Sequence, residues 1–484
     1  MYLYRMIQNE LDDFFADIFK DKRIDTRANL FLSSLITNGS AIVNQSCSMH
    51  SQKIASYRML NNTRCGQSEL SKALYASCER NIHHGGGGGQ HLLCIQDTTQ
   101  VNYFSNKERI KKSDANLGRI DSRAFGYLCH PVLVVDAHKN MPIGFCCVKL
   151  WNREWEKPQK AFKAYKKLPI EEKESFRWIS SVTESRKNLP KQTIITVIAD
   201  RESDIYEALC SIPGENTHLL IRSSSNRLIC EDNMFLLEKM KSCAIKHTYD
   251  IDIKGNKSRK SRTARIDLRY TKVEIKRSQH TKGDDYPSSV AMNCIYVVER
   301  PESVPQGEDP IEWRLYTTHQ IDTIEQAMQC VQWYRARWYI EELFRVLKSD
   351  GLDIESSQLE TGLALKRLML FCLQAALQIM LIKIAYDQKR EDCPAQTVFT
   401  DKQIQFLKIL QPTLEGKTQK QKNPFSDNSL AWAAWIIAKL GKWAGYTSQG
   451  PPGYITMKKG MDIFYIKSEA FLLAFEAMRD VYKE

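Results

Sequence analysis

Residues 333–348 read WYRARWYIEELFRVLK, and this stretch sets the interpretation of the rest of the chain. Its polar residues recur at steps of three and four, which is the period of one face of an α-helix: Tyr334, Arg337, Glu341, Arg345 and Lys348. Apolar residues fill the other side, and no Gly or Pro occurs before Gly351. The stretch therefore predicts one uninterrupted amphipathic helix that carries a carboxylate among three cations and a phenol.

Two interpretations of this charged face are open. It is an ordinary solvated surface crossed by helical ion pairs, each worth about 0.2–0.5 kcal/mol. Alternatively, it is a site that holds a metal ion and handles phosphate groups. Charged helical stripes are usually solvent-facing, so the decision depends on what the rest of the chain contributes.

The composition indicates a globular protein with an anionic partner. The chain of 484 residues has 69 Lys and Arg against 57 Asp and Glu, an excess that favours nucleic acid as the partner. Its 14 scattered cysteines form no CxxC pair, and no signal peptide is apparent, so we expect reduced thiols and a cytoplasmic protein. Residues 368–385 are apolar but broken by polar side chains, which predicts a buried helix rather than a membrane span.

Two predicted strands each end in an aspartate. Residues 92–96 are apolar and lead into Asp97, and the β-branched run 193–199 leads into Asp200. Strand ends commonly carry catalytic carboxylates, and Glu341 downstream completes an acidic triad. Three carboxylates need cations to stay ionised together, and oxygen ligands favour Mg²⁺ or Mn²⁺. Two such ions roughly 3.5–4 Å apart would activate a water or hydroxyl and stabilise a leaving oxygen.

Other segments are basic or flexible. Residues 1–80 predict basic helices, and residues 254–265, KGNKSRKSRTAR, predict a cationic hairpin or loop. Both are open to a solvated interpretation and to a DNA-binding one. Five glycines, 85–89, predict a flexible linker, beside which we expect exposed loop histidines at His83, His84 and His91.

With these motifs the chain resembles the DDE transposases of bacterial cut-and-paste insertion sequences, in the group marked by a Tyr-Arg-Glu-Lys signature. Tyr334, Arg337, Glu341 and Lys348 have the spacing of that signature. The other matches are IQDTT at 95–99, EEKESFRW before the second aspartate, ADRESDIY at 199–206, IRS at 221–223 and the strand that contains Trp313. The resemblance covers nearly the whole chain and is weakest over the first 80 residues.

The resemblance implies an α/β fold with a ribonuclease-H-like catalytic core, residues 92–214 and 311–365. It implies a β-rich insertion at 215–310, within the core. Before the core it implies a helical DNA-binding domain at 1–82 and a linker at 83–91. After the core, residues 366–484 would form a helical region that dimerises.

The resemblance also implies roles for single residues. Asp97, Asp200 and Glu341 would bind two Mg²⁺ ions. Cationic and phenolic side chains would grip phosphates of the transferred end: Tyr334, Arg337 and Lys348, with Arg345 beside them and Arg222 near the cleaved end. Trp313 would stack on a flipped base, with a buried core tryptophan as the alternative interpretation. Gln358 and Glu360 would face DNA.

The implied activity is phosphoryl transfer without a covalent protein intermediate, performed by a dimer on the inverted repeats of its own element. A hairpin intermediate is implied only by the signature group. Two alternatives are a DNA-binding protein that has lost catalysis and a metal-dependent nuclease that never joins ends. The intact triad argues against the first alternative. An assay for strand joining in vitro would distinguish the second alternative from a transposase.

We expect DNA binding to weaken steeply with salt, because basic segments displace counterions from phosphates. Changing five cations of residues 254–265 to Gln should flatten the slope of log affinity against log salt, by up to about 0.9 for each phosphate that is no longer neutralised: Lys254, Lys257, Arg259, Lys260 and Arg262. Fluorescence anisotropy at several salt concentrations measures the slope. An unchanged slope would identify the segment as a solvated hairpin.

Overall fold

The structure is a computed structural model that describes residues 14–47, 49–84, 91–110, 114–120, 124–153, 168–253, 255, 261–282 and 285–481. Three sequence predictions fall wholly or partly outside these residues. They are the five-glycine linker, the start of the N-terminal helical domain and half of the cationic segment 254–265.

A single mixed sheet runs through the described part of the chain. Its strands are β1 (His91–Gln96), β2 (Thr99–Asn102), β3 (Gly118–Arg119), β4 (Phe125–Asp136), β5 (Pro142–Trp151), β6 (Ile194–Ala199), β7 (Thr217–Arg222), β8 (His247–Ile253), β9 (Arg262–Lys276), β10 (Ser289–Glu299) and β11 (Glu312–Thr317). Their order is β2-β4-β1-β6-β7-β11-β10-β9-β8, with β3 and β5 also paired to β4. The predicted α/β class is therefore confirmed at this level.

The centre of the sheet is parallel. β1 pairs with β6 and β6 with β7, all in the same direction, while β4 pairs antiparallel with β1 and β5 pairs antiparallel with β4. Residues 195–199 of β6 are all buried, as the β-branched run predicts for a strand covered on both faces. β7 and β11 lie in this sheet too, and β10, β9 and β8 continue it outward from β11. The predicted insertion thus contributes strands to the same sheet as the core.

The described helices are α1 (Lys22–Asn38), α2 (Val43–Ser46), α3 (His50–Asn61), α4 (Gln67–His84), α5 (Arg177–Asn188), α6 (Tyr206–Ser211), α7 (Leu236–Ser242), α8 (Ile324–Arg335), α9 (Trp338–Lys348), α10 (Gly362–Asp387), α11 (Asp401–Leu414), α12 (Leu430–Leu440) and α13 (Tyr454–Val481). α10 is the centre of the helical layer, and α1, α3, α4, α9, α12 and α13 all pack against it. By length and composition α10 could cross a membrane, but 83% of its apolar window is buried inside the protein. This agrees with the predicted buried helix.

The helix predicted over the signature stretch is not continuous, so that prediction is wrong. α8 ends at Arg335 and α9 begins at Trp338. The backbone N–H of Arg337 bonds the carbonyl of Tyr334 at 3.0 Å, and that of Tyr339 bonds Ala336 at 2.9 Å, so the turn tightens to i→i−3 bonding. Right-handed dihedrals persist at Ala336 and Arg337, which is why no Gly or Pro is needed for this break.

The prediction that His91 is an exposed loop residue is also wrong. It opens β1 and lies half-buried, with its Nε2 2.7 Å from the hydroxyl of Thr196 on β6. The same hydroxyl lies 2.7 Å from Nε2 of His319, whose ring stacks on His218 at 3.9 Å. Trp333 of α8 packs edge-on against His91 at 4.6 Å. We call these three imidazoles with Thr196 and Trp333 the histidine cluster.

The histidine cluster should make folding sensitive to acid. Burial, followed by the neighbouring His218, lowers the pKa of His91 to about 4 and that of His319 to about 3. Both are neutral in the folded state at pH 7, whereas in the unfolded chain they take up protons below 6.5. Their contribution to the free energy of unfolding is therefore complete above that pH and is lost as the pH falls toward 4.

We expect urea unfolding to show a loss on the order of 1 kcal/mol per histidine between about pH 7 and pH 5. His319→Gln, whose amide can replace Nε2 beside Thr196, should make this pH dependence shallower. His280→Gln, at an exposed position, is the matched control and should leave it unchanged. The same pH dependence in wild type and His319→Gln would show that other groups govern the acid response.

Candidate active site

The register of the parallel strands sets three polar residues in a row. Ile95 pairs with Ile198, and Ala199 pairs with Ile221. Continuing these registers places Asp97 beside Asp200 and Asp200 beside Arg222, at the carboxyl ends of β1, β6 and β7. Neighbouring strands are about 4.8 Å apart, and equal positions in register face the same side of a sheet. Two carboxylates and a guanidinium therefore share one edge of the sheet.

Asp97 lies in a setting that disfavours its charge. Burial raises its pKa to about 7, and the nearby carboxylates of Asp200 and Glu341 push in the same direction. The backbone N–H of Thr98, 2.7 Å from its Oδ1, and the guanidinium of Arg337 oppose that shift. The three acidic residues thus sense one another, as a shared site requires.

Arg337 links two of the three acids. Its Nη1 lies 3.4 Å from Oδ2 of Asp97, and its Nη2 pairs with Oε1 of Glu341. Burial alone lowers the pKa of Arg337, but Tyr334, Glu341 and Asp97 raise it overall. The break between α8 and α9 contributes here, because it places Glu341 in the first turn of α9. A helix N-terminus carries partial positive charge and stabilises a carboxylate at that position.

The acidic residues suit a divalent metal in type. Their donors are all carboxylate oxygens, which Mg²⁺ and Mn²⁺ prefer. Within the described residues, no group of three His, Cys, Asp or Glu side chains is arranged to hold an ion. Arg337 pairs with the carboxylates of Asp97 and Glu341 as an internal counter-ion.

Arg222 is held beside the two aspartates by its own strand and by the loop that follows. Its Nη2 donates to the carbonyl of Glu312 at 2.7 Å. The buried side chain of Asp204 anchors the loop through the N–H of Ser224 at 2.7 Å and through Arg227 at 2.8 Å. Burial and neighbouring cations, with Arg201 first, lower the pKa of Arg222. A crowded cation of this kind favours an anionic ligand such as a phosphate.

Tyr334 and Trp313 form the apolar wall of the site. Burial raises the pKa of Tyr334 to about 12, so its hydroxyl stays protonated and can donate a hydrogen bond. The ring of Trp313 meets it edge-on at 5.4 Å and is partly buried against the main core. Both interpretations of Trp313 made from the sequence, core packing and base stacking, are compatible with this half-buried position.

Four other predicted site residues have different partners or surroundings. Nζ of Lys348 lies 3.5 Å from Glu355, and Arg345 pairs with Glu342 at 3.1 Å. Gln358 and Glu360 line a cavity of about 590 Å³ against α3 of the N-terminal region. In the part of the chain that the structure describes, none of the four makes an ion pair or hydrogen bond with the triad.

Part of the predicted cationic segment also has a different environment. Lys254, Lys257, Arg259 and Lys260 lie outside the described residues. Arg262 opens β9 and pairs with Glu299 at 2.9 Å and Glu308 at 2.6 Å. Because Glu299 is fully buried, this pair is structural, and the prediction that Arg262 contacts phosphate is wrong.

The sequence interpretation missed Trp338, which directly follows Arg337. Its ring is 52% exposed, and its indole N–H donates to Glu342 at 2.8 Å. An exposed tryptophan next to the acids is a surface on which a base can stack. The signal was present in the sequence, since Trp338 follows Tyr334 by four residues and precedes Glu341 by three, which puts it on the predicted polar face.

A family model described as a transposase DDE domain matches residues 175–378. The matched segment contains Asp200, Arg222, Trp313 and the signature stretch, whereas Asp97 lies upstream of it. The match supports a DDE-type transposase, and that family cleaves DNA, transfers strands and generally uses divalent metals. Although Asp97 lies outside the matched segment, the register of β1 against β6 places it beside Asp200.

Proposed function

We propose that the chain is a DNA transposase that cleaves the ends of its own mobile element and joins the freed 3′-OH ends to target DNA. The observation that carries the proposal is the convergence of three carboxylates. Asp97 and Asp200 end adjacent parallel strands, and Glu341 is joined to Asp97 through Arg337. An isolated DNA-binding module needs no such group of partly buried acids, whereas phosphoryl transfer does.

Asp97, Asp200 and Glu341 are the residues that would hold two Mg²⁺ ions, for which Mn²⁺ can substitute. Bound there, the ions supply activation of the attacking oxygen and stabilisation of the leaving one. A DNA phosphate gives Arg337 another anion to pair with, so binding of the substrate frees the carboxylates. The site thus becomes competent when DNA is present, which limits idle hydrolysis.

Other residues of the site hold the DNA. Arg222, Tyr334 and Arg337 donate to phosphates of the cleaved end, because they surround the acids and carry positive charge or a protonated hydroxyl. Lys348 and Arg345 contact the backbone further along α9. Trp313 stacks on a displaced base. Gln358 and Glu360 contact DNA in the cavity between the core and the N-terminal helices.

The reaction is cut-and-paste. Asp97, Asp200 and Glu341 position a water against one strand at the element's end, and its attack frees a 3′-OH. That hydroxyl attacks the opposite strand and closes a hairpin, a second water reopens it, and the 3′-OH then attacks target DNA. A homodimer holds two element ends, with the helical C-terminal region as the dimer contact. We also propose that the catalytic core is ribonuclease-H-like and that the domains have the limits given under the sequence analysis. The chain would then belong to the group marked by the Tyr-Arg-Glu-Lys signature.

The central test removes one carboxylate at a time. Asp97→Asn, Asp200→Asn and Glu341→Gln should each lower cleavage on the order of a thousandfold, because metal ions contribute several kcal/mol to such reactions. Specific binding to the element's end should persist. The substrate is a labelled duplex that carries the short inverted repeat flanking the coding sequence, incubated with Mg²⁺.

Asp350→Asn, just beyond the end of α9, is the matched control and should cleave as wild type does. A variant of the triad that cleaves at nearly the wild-type rate would exclude that residue from the site. Wild-type protein that cuts but never joins the 3′-OH to a second duplex would identify a nuclease instead.

The hairpin step depends on Trp313. Flipping a base costs a few kcal/mol, and stacking on an aromatic ring offsets about 1–3 kcal/mol of that cost. Trp313→Ala should therefore spare the first nick and slow hairpin closure by about tenfold for each 1.4 kcal/mol of stacking energy removed. Trp313→Phe retains an aromatic ring and should be affected less. Denaturing gels separate the nicked strand from the hairpin.

Thermal unfolding of the same variants distinguishes the two roles of Trp313. If Trp313→Ala loses stability and nicking together, the side chain acts as core packing against Tyr334. Double-strand breaks by wild type with no hairpin at any time would exclude the hairpin pathway.

A further inference from the structure

Arg177, the first residue of α5, reaches both loops that carry the aspartates. Its Nε donates to the hydroxyl of Thr98 at 2.9 Å, and its Nη2 donates to the carboxylate of Glu202 at 2.8 Å. Thr98 directly follows Asp97, and Glu202 lies two residues beyond Asp200. One guanidinium therefore ties the end of β1 to the end of β6 from the side.

The residues that Arg177 holds are those that orient the two carboxylates. The backbone N–H of Thr98 donates to Oδ1 of Asp97 at 2.7 Å, and that of Glu202 donates to Oδ1 of Asp200 at 2.9 Å. Each loop thus uses its backbone to orient an aspartate and its side chain to bind Arg177. A guanidinium is planar and has fixed donor directions, so it sets the spacing between its two partners.

A buried polar chain supports the Thr98 side. Gln96 donates its amide N–H to the carbonyl of Trp178 at 3.2 Å, which leaves its Oε1 to accept from Nε2 of His130 at 3.1 Å. Nδ1 of His130 then accepts from the hydroxyl of Thr98 at 2.9 Å. The hydroxyl is left to accept from Arg177, so every hydrogen bond in the chain has a consistent donor.

The side chain of Arg177 is itself fixed in place. It is only 13% exposed, and its guanidinium lies 4.9 Å from the ring of Trp178 and 5.9 Å from that of Trp151. It also donates to the carbonyl of Glu174 at 3.2 Å. Because the guanidinium is held on several sides, it moves little and keeps the two loops at a fixed separation.

We propose that Arg177 is a positioning residue that sets the separation of Asp97 and Asp200. It touches neither carboxylate in this arrangement and acts through Thr98 and Glu202. The proposal rests on the proposed function, since it assigns to the two aspartates the joint binding of divalent ions. Small errors in ligand placement weaken metal binding, which is why residues behind the ligands matter.

The test compares Arg177→Gln with wild type in two measurements. In the complex with a duplex already cut at the element's end, Mn²⁺ binding is followed by electron paramagnetic resonance. In cleavage of the uncut duplex, the Mg²⁺ concentration for half-maximal rate is determined. We expect about tenfold weaker Mn²⁺ binding and a similar rise in the Mg²⁺ requirement, in line with the 10–100-fold effects of residues behind metal ligands. DNA affinity should stay near that of wild type, and saturating Mg²⁺ should restore most of the rate.

Two further variants separate positioning from folding. Arg186→Gln removes another half-buried arginine of α5, one that donates to the carbonyl of Thr193, and should leave both metal measurements unchanged. Glu202 is 65% exposed, so Glu202→Ala should fold normally and still weaken Mn²⁺ binding. In the Arg177→Gln background, Glu202→Ala should add little, because its partner is already gone.

Unchanged Mn²⁺ affinity and Mg²⁺ dependence in Arg177→Gln would overturn the proposal. If that variant fails to fold, unchanged Mn²⁺ affinity in Glu202→Ala would overturn it, and so would additive effects in the double variant. Wild-type protein that binds no Mn²⁺ would also overturn it. Wild type that binds Mn²⁺ but never cleaves the duplex would refute the proposed function alone, because the Mn²⁺ comparison needs no cleavage.

Discussion

The parallel pairing of β1 with β6 is the constraint on which the site depends. Parallel strands end on the same edge of a sheet, so residues far apart in sequence meet there without any loop having to carry them. The pairing of Ile95 with Ile198 decides that Asp97 and Asp200 are level with each other and on the same face. A slip of one residue would turn one carboxylate to the opposite face and abolish the site.

Carboxylates that lie close together repel one another, and in the free protein the guanidinium of Arg337 reduces this repulsion. Burial and the two neighbouring carboxylates push the pKa of Asp97 to about 7. Arg337 offsets part of this by pairing with Asp97 and Glu341 at once. Because Arg337 neutralises the carboxylates, it also competes with any cation that would bind them. Phosphate and metal together can displace this pair, since one satisfies the arginine and the other the acids.

Because of the break between α8 and α9, residues 333–341 contact both the core and the site. Trp333 of α8 packs against His91 within the histidine cluster, while Tyr334 closes the wall of the site. Arg337 lies in the tightened turn, and Glu341 sits in the first turn of the following helix. In a single straight helix these side chains would be rigidly stacked along one stripe. The break lets the segment serve the core and the site from two separate helices.

The sequence by itself determined the elements and the chemistry that they carry. The apolar runs before Asp97 and Asp200 predict buried strands that end in carboxylates, and the three-and-four spacing around Glu341 predicts helix. Periodicity and burial are local properties, so they can be read from neighbours along the chain. Tertiary structure alone decided the strand register, the break after Arg335 and the pairing of Arg262 with Glu299. Each of these depends on partners distant in sequence, and no local pattern specifies which partner a side chain will meet.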